Sequence, residues 1–163
     1  MIFVMIPGVG DPSIPLEGYG DGKWFVADSF SFGIERELVQ SAKKGTEDIN
    51  IGVGELQECT ISKSMDLAST QLAQFAINGD SPGLAQIDFV EVGGEGKPLC
   101  YLRYQLDRCF VKSWSTSGDA DDRPTEEVAF YYNRIAFGIA GDPNVMSWDA
   151  VANAPWTGHR ITF

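Results

Sequence analysis

Apolar and polar residues alternate along most of this chain, which is the pattern of β-strands with one buried face. Loops rich in glycine, proline or polar residues interrupt the alternation, and residues 40–54 are polar enough to form a loop or a flexible hairpin arm. The pattern predicts six or seven strands. They fall in the runs 2–6, 24–36, 56–63, 84–91, 98–114 and 128–137.

One segment has a helical period instead. Its apolar residues recur three or four positions apart and form one stripe, made of Met65, Ala68, Leu72, Phe75 and Ala76. Asp66 or Ser64 can accept the free N–H groups at the helix start. Asn78-Gly79 supplies a residue that tolerates the left-handed conformation at the end. We therefore predict one helix over about residues 66–78.

Strands with a single helix predict a mainly β protein, built as an antiparallel β-barrel or sandwich of two sheets with one flanking α-helix. The 163 residues fit one domain spanning residues 1–163. The end of the chain, from about residue 141, shows no regular pattern and is expected to be an irregular tail.

The net charge of the chain disfavours some classes of binding partner. Twelve Lys and Arg face 23 Asp and Glu, a net charge of −11, which disfavours nucleic acid and anionic membrane surfaces as partners. No run approaches the roughly 20 apolar residues of a membrane span, so no membrane insertion is expected. The short apolar start lacks the features of a cleaved signal peptide, so we expect folding in the cytoplasm.

Few residues suit catalysis. His159 is the single histidine, so a nucleophile–histidine arrangement would depend on it entirely, and histidine metal clusters are excluded. We expect no enzyme activity, no cofactor and no metal. Cys59, Cys100 and Cys109 form no C-x-x-C pair and are expected to be reduced, with Cys100 on the same core face as Leu102, Tyr104 and Leu106.

Two other functions fit these residues. Strand aromatics could line a ligand groove in a monomeric carbohydrate- or small-ligand-binding barrel. The residues concerned are Trp24, Phe30, Phe32, Tyr101, Tyr104 and Trp114. A pair of carboxylates could serve an acidic-pair hydrolase.

Four sequence motifs indicate a function different from these two. The run 60–72 carries Lys63, Asp66, Ser69 and Leu72 at the spacing of the strand-to-helix segment of the haemolysin-coregulated protein (Hcp) family, which it resembles. The start of a later strand, Pro124-Thr125-Glu126, is similar to that family's Pro-Thr-Glu motif. The runs 29–33 and 148–153 also resemble family segments. Residues 11–22 and 155–163 depart from the family pattern.

The resemblance implies a structural subunit of the type VI secretion system inner tube. Such subunits form homohexameric rings that stack into a hollow tube and carry effectors in the lumen. The implied partners are other copies of the chain and the sheath, spike and effector proteins. The implied location is the cytoplasm, followed by secretion through the apparatus without a cleaved signal peptide.

Two surface regions are candidates for contact in such a tube. Ser31 lies between Phe30 and Phe32, so its side chain points away from theirs, and the resemblance puts that face on the lumen. The arm around residues 40–51 carries both charge signs and is expected to contact another subunit. Its candidate contact residues are Lys43, Lys44, Glu47 and Asp48.

Overall fold

The computed structural model describes residues 1–40, 49–81 and 83–163. Over these ranges the chain forms eleven strands and one helix. In chain order they are β1 (Ile2–Met5), β2 (Trp24–Ala27), β3 (Ser29–Ser31), β4 (Ile34–Gln40), β5 (Ile49–Leu56), β6 (Cys59–Ser64), α1 (Ser69–Asn78), β7 (Gly83–Val92), β8 (Pro98–Ser117), β9 (Thr125–Tyr131), β10 (Arg134–Ile139) and β11 (Val145–Asp149).

The strands form one large antiparallel sheet in the order β2-β1-β7-β8-β9-β6-β3, with β10 also paired to β8 and β11 to β10. The two ends of this order, β2 and β3, are consecutive in the chain, and the Asp28 N–H between them donates to the Ser62 carbonyl at 2.8 Å. The sheet therefore curls back on itself as a barrel-like sandwich. Strands β4 and β5 form a separate antiparallel hairpin. The predicted mainly β, antiparallel fold with one flanking helix is confirmed.

Strand β8 organises this sheet because it is 20 residues long and has different neighbours along its length. Its first part pairs with β7 and β10, and its second part pairs with β9. Arg108 has a positive φ of 50°, and the pairing register shifts again between Val111 and Ser113. Each irregularity changes which side chains face the core, as β-bulges do.

The chain has more strands than the six or seven predicted, partly because bends divide two of the predicted runs. A bend at Asp28 divides the run 24–36, and a bend at Asn133 divides the run 128–137. Part of the expected arm, residues 49–54, lies in β5. The tail is also more regular than expected, since Val145–Asp149 pairs with β10. Residues 150–163 are turns and irregular structure.

The helix begins at Ser69, later than the predicted residue 66, and ends at Asn78 as predicted. Residues 66–68 form a turn in which the Asp66 Oδ1 atom accepts the Ala68 N–H at 2.9 Å. This contact satisfies the N–H of the residue before the helix, but neither Asp66 nor Ser64 caps the helix itself, contrary to the prediction. Gly79 then takes the left-handed conformation, with φ of 70°, and its N–H donates to the Phe75 carbonyl at 3.0 Å.

Two apolar clusters fill the part of the molecule that the structure describes. The main core lies between the faces of the sheet and the helix, and it contains Cys59, Leu72 and Cys109. The second cluster lies under the loop 7–23, where Tyr19 stacks on Phe3 with ring centroids 4.3 Å apart. Cys100 packs in the second cluster rather than with Tyr104 and Leu106, because a register shift between β7 and β8 turns its side chain away from theirs.

No helix within the described ranges is long and apolar enough to cross a membrane.

Candidate functional site

Four residues of the two family motifs, the run 60–72 and the Pro124-Thr125-Glu126 motif, meet in one buried cluster at the start of the helix. The Lys63 ammonium donates to Glu126 Oε2 at 2.5 Å, to Asp66 Oδ1 at 2.9 Å and to Ser69 Oγ at 3.0 Å. The Ser69 hydroxyl in turn donates to Glu126 Oε2 at 2.7 Å. The side chains of Lys63 and Glu126 are fully closed to solvent. A charge in such a place is tolerated because its partners are fixed around it.

Trp114 completes this cluster from strand β8. Its indole N–H donates to Glu126 Oε1 at 2.6 Å, so both carboxylate oxygens of Glu126 accept hydrogen bonds. The ring of Phe25 lies 5.7 Å from the Lys63 ammonium. We call Lys63, Asp66, Ser69, Trp114 and Glu126 the helix network. It joins strands β6, β8 and β9 to the helix start.

The other motif residues surround the helix network. Leu72 is fully buried in the main core on the inner side of the helix. Pro124 and Thr125 are exposed, and their roles are carried by the backbone. The Pro124 carbonyl accepts the Met65 N–H at 2.9 Å, and the Thr125 carbonyl accepts the Thr116 hydroxyl at 2.9 Å. The motifs thus describe how the helix is attached to the sheet.

Small hydroxyl side chains cover the outward surface of the same strands. Ser31 is exposed, with its side chain pointing away from the half-buried Phe30. Its hydroxyl pairs with that of Thr60 across β3 and β6, as Ser29 pairs with Ser62 at 2.5 Å. We call this surface the hydroxyl face. It consists of Ser29, Ser31, Thr60, Ser62, Ser113, Ser115 and Thr125 together with Ala129 and Glu127.

The hydroxyl face is nearly neutral although the chain carries a net charge of −11. Glu127 is the charged residue among its strand positions. At its edge Lys112 and Glu58 form an exposed ion pair at 2.7 Å. A shallow depression runs across this surface, lined by residues of β3, β6, β8 and β9. Such a surface offers water and passing polar groups many weak partners and few fixed charges.

The arm residues Lys43, Lys44, Glu47 and Asp48 lie outside the described residues. The hairpin that carries them is described on both sides, by β4 and β5, which pair antiparallel from Ile34 with Leu56 onward. The expectation that the arm contacts another subunit stays a prediction.

A second buried ion pair lies on the opposite side of the sheet, and the sequence analysis missed it. Asp88 is fully buried, and Arg103 holds it with two hydrogen bonds, Nε to Oδ1 at 2.7 Å and Nη2 to Oδ2 at 2.8 Å. The Tyr19 hydroxyl donates to Asp88 Oδ2 at 2.9 Å. Gln86 donates to Asp88 Oδ1 at 3.2 Å and accepts from Gln105 at 3.2 Å. We call Tyr19, Gln86, Asp88, Arg103 and Gln105 the strap network.

One sequence signal could have revealed the strap network. Asp88 and Arg103 lie at facing positions on the two strands of the hairpin around residues 93–96, and opposite charges directly across a strand pair attract. The hydrogen bonds to Asp88 raise the pKa of Arg103 further above its ordinary value, so it stays charged. Burial and the nearby Asp88 carboxylate raise the pKa of Tyr19.

The surroundings of the three thiols disfavour the thiolate form. Burial raises the pKa of Cys59 to about 12 and also raises the pKa of Cys109. Burial and the neighbouring Asp88 raise the pKa of Cys100. All three cysteines are free, and little thiolate forms at neutral pH.

The strand aromatics proposed for a ligand groove pack on other side chains. Phe30 lies 4.8 Å from the ring of Tyr104, which stacks on Phe137 at 4.9 Å. Trp24 belongs to the second cluster, and Trp114 bonds to Glu126. No group of three or more His, Cys, Asp or Glu side chains in the described part of the chain is arranged to hold a metal ion.

Comparisons with known proteins agree on one family. Among solved structures, one described as a type six secretion system protein is 21% identical, covers 94% of this chain and 97% of its own, and has a TM-score of 0.78. Hcp1 from Salmonella typhimurium is 19% identical over 95% and 97%, with a TM-score of 0.74. A type VI secretion system effector from Yersinia pestis is 16% identical over 91% and 99%, with a TM-score of 0.66. These likenesses establish a shared fold.

Curated protein sequences gave no match. The family profile described as "Type VI secretion system effector, Hcp" matches residues 18–138, which is most of the chain. This stretch contains both the helix network and the hydroxyl face. The chain therefore belongs to the Hcp family of the type VI secretion system.

Proposed function

We propose that this protein is a structural subunit of the inner tube of a type VI secretion system, forming six-membered rings that stack with the hydroxyl face toward the lumen. Family membership supports the tube. The hydroxyl face is the observation that supports the proposed orientation of each subunit, with this surface toward the lumen. A wall that guides folded cargo needs polarity without strong attachment, and a sheet surface of mutually bonded Ser and Thr side chains supplies it.

The helix network fits a subunit under load. It fixes the helix to three strands through buried charges, and these hold only one geometry well. A ring built from copies of a rigid subunit closes at a fixed rotation. We assign the protein no catalytic role. The partners that follow from this function are copies of the chain and the sheath, spike and effector proteins of the apparatus.

Assembly is tested by light scattering after size separation, together with negative-stain imaging. The expected particle has a mass near six times 17.8 kDa and a central hole. A particle of one subunit mass at all concentrations would contradict the proposal. Because each subunit carries a charge of −11, stacking of rings should be favoured by added salt, which screens the repulsion between them.

The orientation is tested separately with one added cysteine in a Cys100→Ser background, in which the remaining Cys59 and Cys109 are buried. Ser31→Cys should react with a small maleimide in the ring but resist a polyethylene-glycol maleimide too large to enter the hole. Thr157→Cys, at an exposed position outside the hydroxyl face, is the matched control and should react with both. Equal reaction of Ser31→Cys with both reagents would show that this face is outside the ring.

A cargo variant completes the test. Ser31→Gln should leave the ring intact, since an exposed strand position tolerates a longer polar side chain, while the added bulk disturbs cargo retention. Thr157→Gln should change neither property. If Ser31→Gln prevents ring formation, this face belongs to a subunit contact.

A further inference from the structure

Residues 155–163, which we call the strap, run back over the outer surface of β8 and β10. Gln105 holds the backbone of Arg160 from both sides, because its side-chain amide donates to the Arg160 carbonyl at 3.0 Å and accepts the Arg160 N–H at 2.8 Å. Arg103 donates to the Thr162 carbonyl at 2.5 Å. The sheet therefore recognises main-chain groups of the strap.

Alternate strap side chains face the sheet. Ile161 lies against Gly138 of β10, where a Cβ atom would come within 2.8 Å of Ile161 Cγ2. The ring of Phe163 lies near the same glycine and under the Arg103 guanidinium, 5.6 Å from its centroid. Ile161 is half-buried, whereas Phe163 is 56% exposed despite these contacts, and Arg160 and Thr162 are also exposed. This is the spacing of an extended segment.

The groups that hold the strap are themselves held by residues outside it. Asp88, Arg103 and Gly138 lie side by side on β7, β8 and β10, at facing register positions. Asp88 fixes the Arg103 guanidinium with two hydrogen bonds, and Gln86 fixes the Gln105 amide. The surface is thus organised before a peptide arrives, which lowers the entropy lost on binding.

We propose that this surface is a peptide-binding groove for an extended segment with an aliphatic and an aromatic residue two positions apart. The strap of its own chain occupies it, and the strap of a second copy can take that place. The complementarity is already present in one chain, and exchange of an identical element between copies adds no new chemistry. The inference does not depend on the tube or on the lumen assignment.

The strap is attached to the rest of the chain by a short and well-defined connection. Asp149 and Ala154 pair through two backbone hydrogen bonds of 2.8 Å and 3.3 Å, which fix the chain before the strap. Residues 155–159 lie between this pairing and the groove. Such a tether keeps the strap at a high local concentration, so a free peptide competes poorly against it.

The test uses the full chain and a fluorescent peptide of residues 155–163. In the released-strap variant, Ile161→Asp with Phe163→Asp, the groove is empty and should bind the peptide saturably in fluorescence anisotropy. The unmodified chain should bind it at least about tenfold more weakly. A peptide carrying the same two aspartates should not bind. Absence of saturable binding to the released-strap variant, or equal binding of the two peptides, overturns the proposal.

Two further measurements guard against a trivial result. Adding Gly138→Val to the released-strap variant fills the position against Ile161 without touching the strap network, and it should weaken peptide binding. Hydrogen exchange should show the Arg160 amide protected in the unmodified chain and unprotected in the released-strap variant. Protection that is equal in the two chains, or absent from both, also overturns the proposal.

Discussion

The helix network and the strap network solve the same problem on opposite sides of one sheet. Each uses a buried carboxylate, Glu126 or Asp88, to fix a segment that is not a strand. They differ in exposure, because the side chain of Lys63 is closed to solvent whereas that of Arg103 is 18% exposed. The helix network therefore acts as a permanent attachment of the helix to the sheet. In the strap network, by contrast, Arg103 can reach water if the strap moves.

The sharpest test of this contrast removes the buried cation. Lys63→Met leaves the buried Glu126 side chain without its cationic partner, and we expect the free energy of unfolding to fall by about 3–5 kcal/mol in urea titrations. Lys112→Met, which breaks the exposed pair with Glu58, is the matched control and should change the free energy of unfolding little.

A double variant separates the charge from the packing. Lys63→Met combined with Glu126→Leu removes both charges and should recover part of the lost stability, because apolar replacements of a buried pair are often tolerated. If Lys63→Met alone lowers the free energy of unfolding no more than Lys112→Met does, the helix network is not a permanent attachment of the helix.

A substitution in the strap network should lower the free energy of unfolding less, but it should loosen two separate segments of the chain. Asp88→Asn weakens the hold on Arg103 and removes the charge that Tyr19 contacts, and we expect a loss of about 2 kcal/mol. Hydrogen exchange should quicken both in the loop 7–23 and in the strap. Asp107→Asn, which alters a more exposed pair with Arg134, serves as control and should affect neither segment. A response confined to one segment would show that Asp88 does not join the two.

Cysteine substitutions compare the apolar surroundings of the two networks. Cys59→Ala and Cys109→Ala remove packing atoms from the main core and should cost roughly 1–3 kcal/mol each. Cys100→Ala, at a half-buried position in the second cluster, should cost less. Thermal unfolding measures the three. We also expect the variant without cysteines to assemble equally with and without reductant, and a ring that needs oxidising conditions would contradict this.

The smallest effect concerns alkaline pH. The pKa of Tyr19 is raised in the folded chain above its ordinary value of 10.0, so the protonated phenol is the favoured form. Its contribution to stability is complete below pH 10.0 and is lost as the pH rises above that value, where the unfolded chain releases the proton first. Tyr19→Phe should therefore show a shallower decline of stability above pH 10 than the unmodified chain. Identical slopes would mean that Tyr19 does not titrate against Asp88.

Features of the fold that depend on residues close together in the chain could be predicted from the sequence. The helix end at Asn78 and Gly79 and the motif containing Lys63 and Asp66 all follow from residues close together in the chain. Only Glu126 and Trp114 had to come from elsewhere to complete the helix network. The alternation around Ser31 likewise predicted its exposed side correctly.

What could not be predicted depends on register between distant strands. Strand β8 changes its core-facing positions at Arg108 and near Ser113, and alternation alone does not locate such shifts. The placement of Cys100 failed because of a similar shift between Cys100 and Leu102, where β8 pairs with β7. The strap network joins Tyr19 of the loop 7–23 to residues of β7 and β8 that in turn hold the backbone of Arg160 and Thr162, and no short motif contains them.

Strand β8 also limits how this protein can change length. It carries Arg103 in its first half and Trp114 in its second, so one strand supplies a residue to each network. Deleting or inserting one residue between them would turn every later side chain to the other face, because strands have a period of two. Trp114 would then point away from Glu126, and Ser113 and Ser115 would point toward the core. Insertions and deletions in the family should accordingly gather at the hairpin around residues 93–96 and be rare between Arg103 and Trp114.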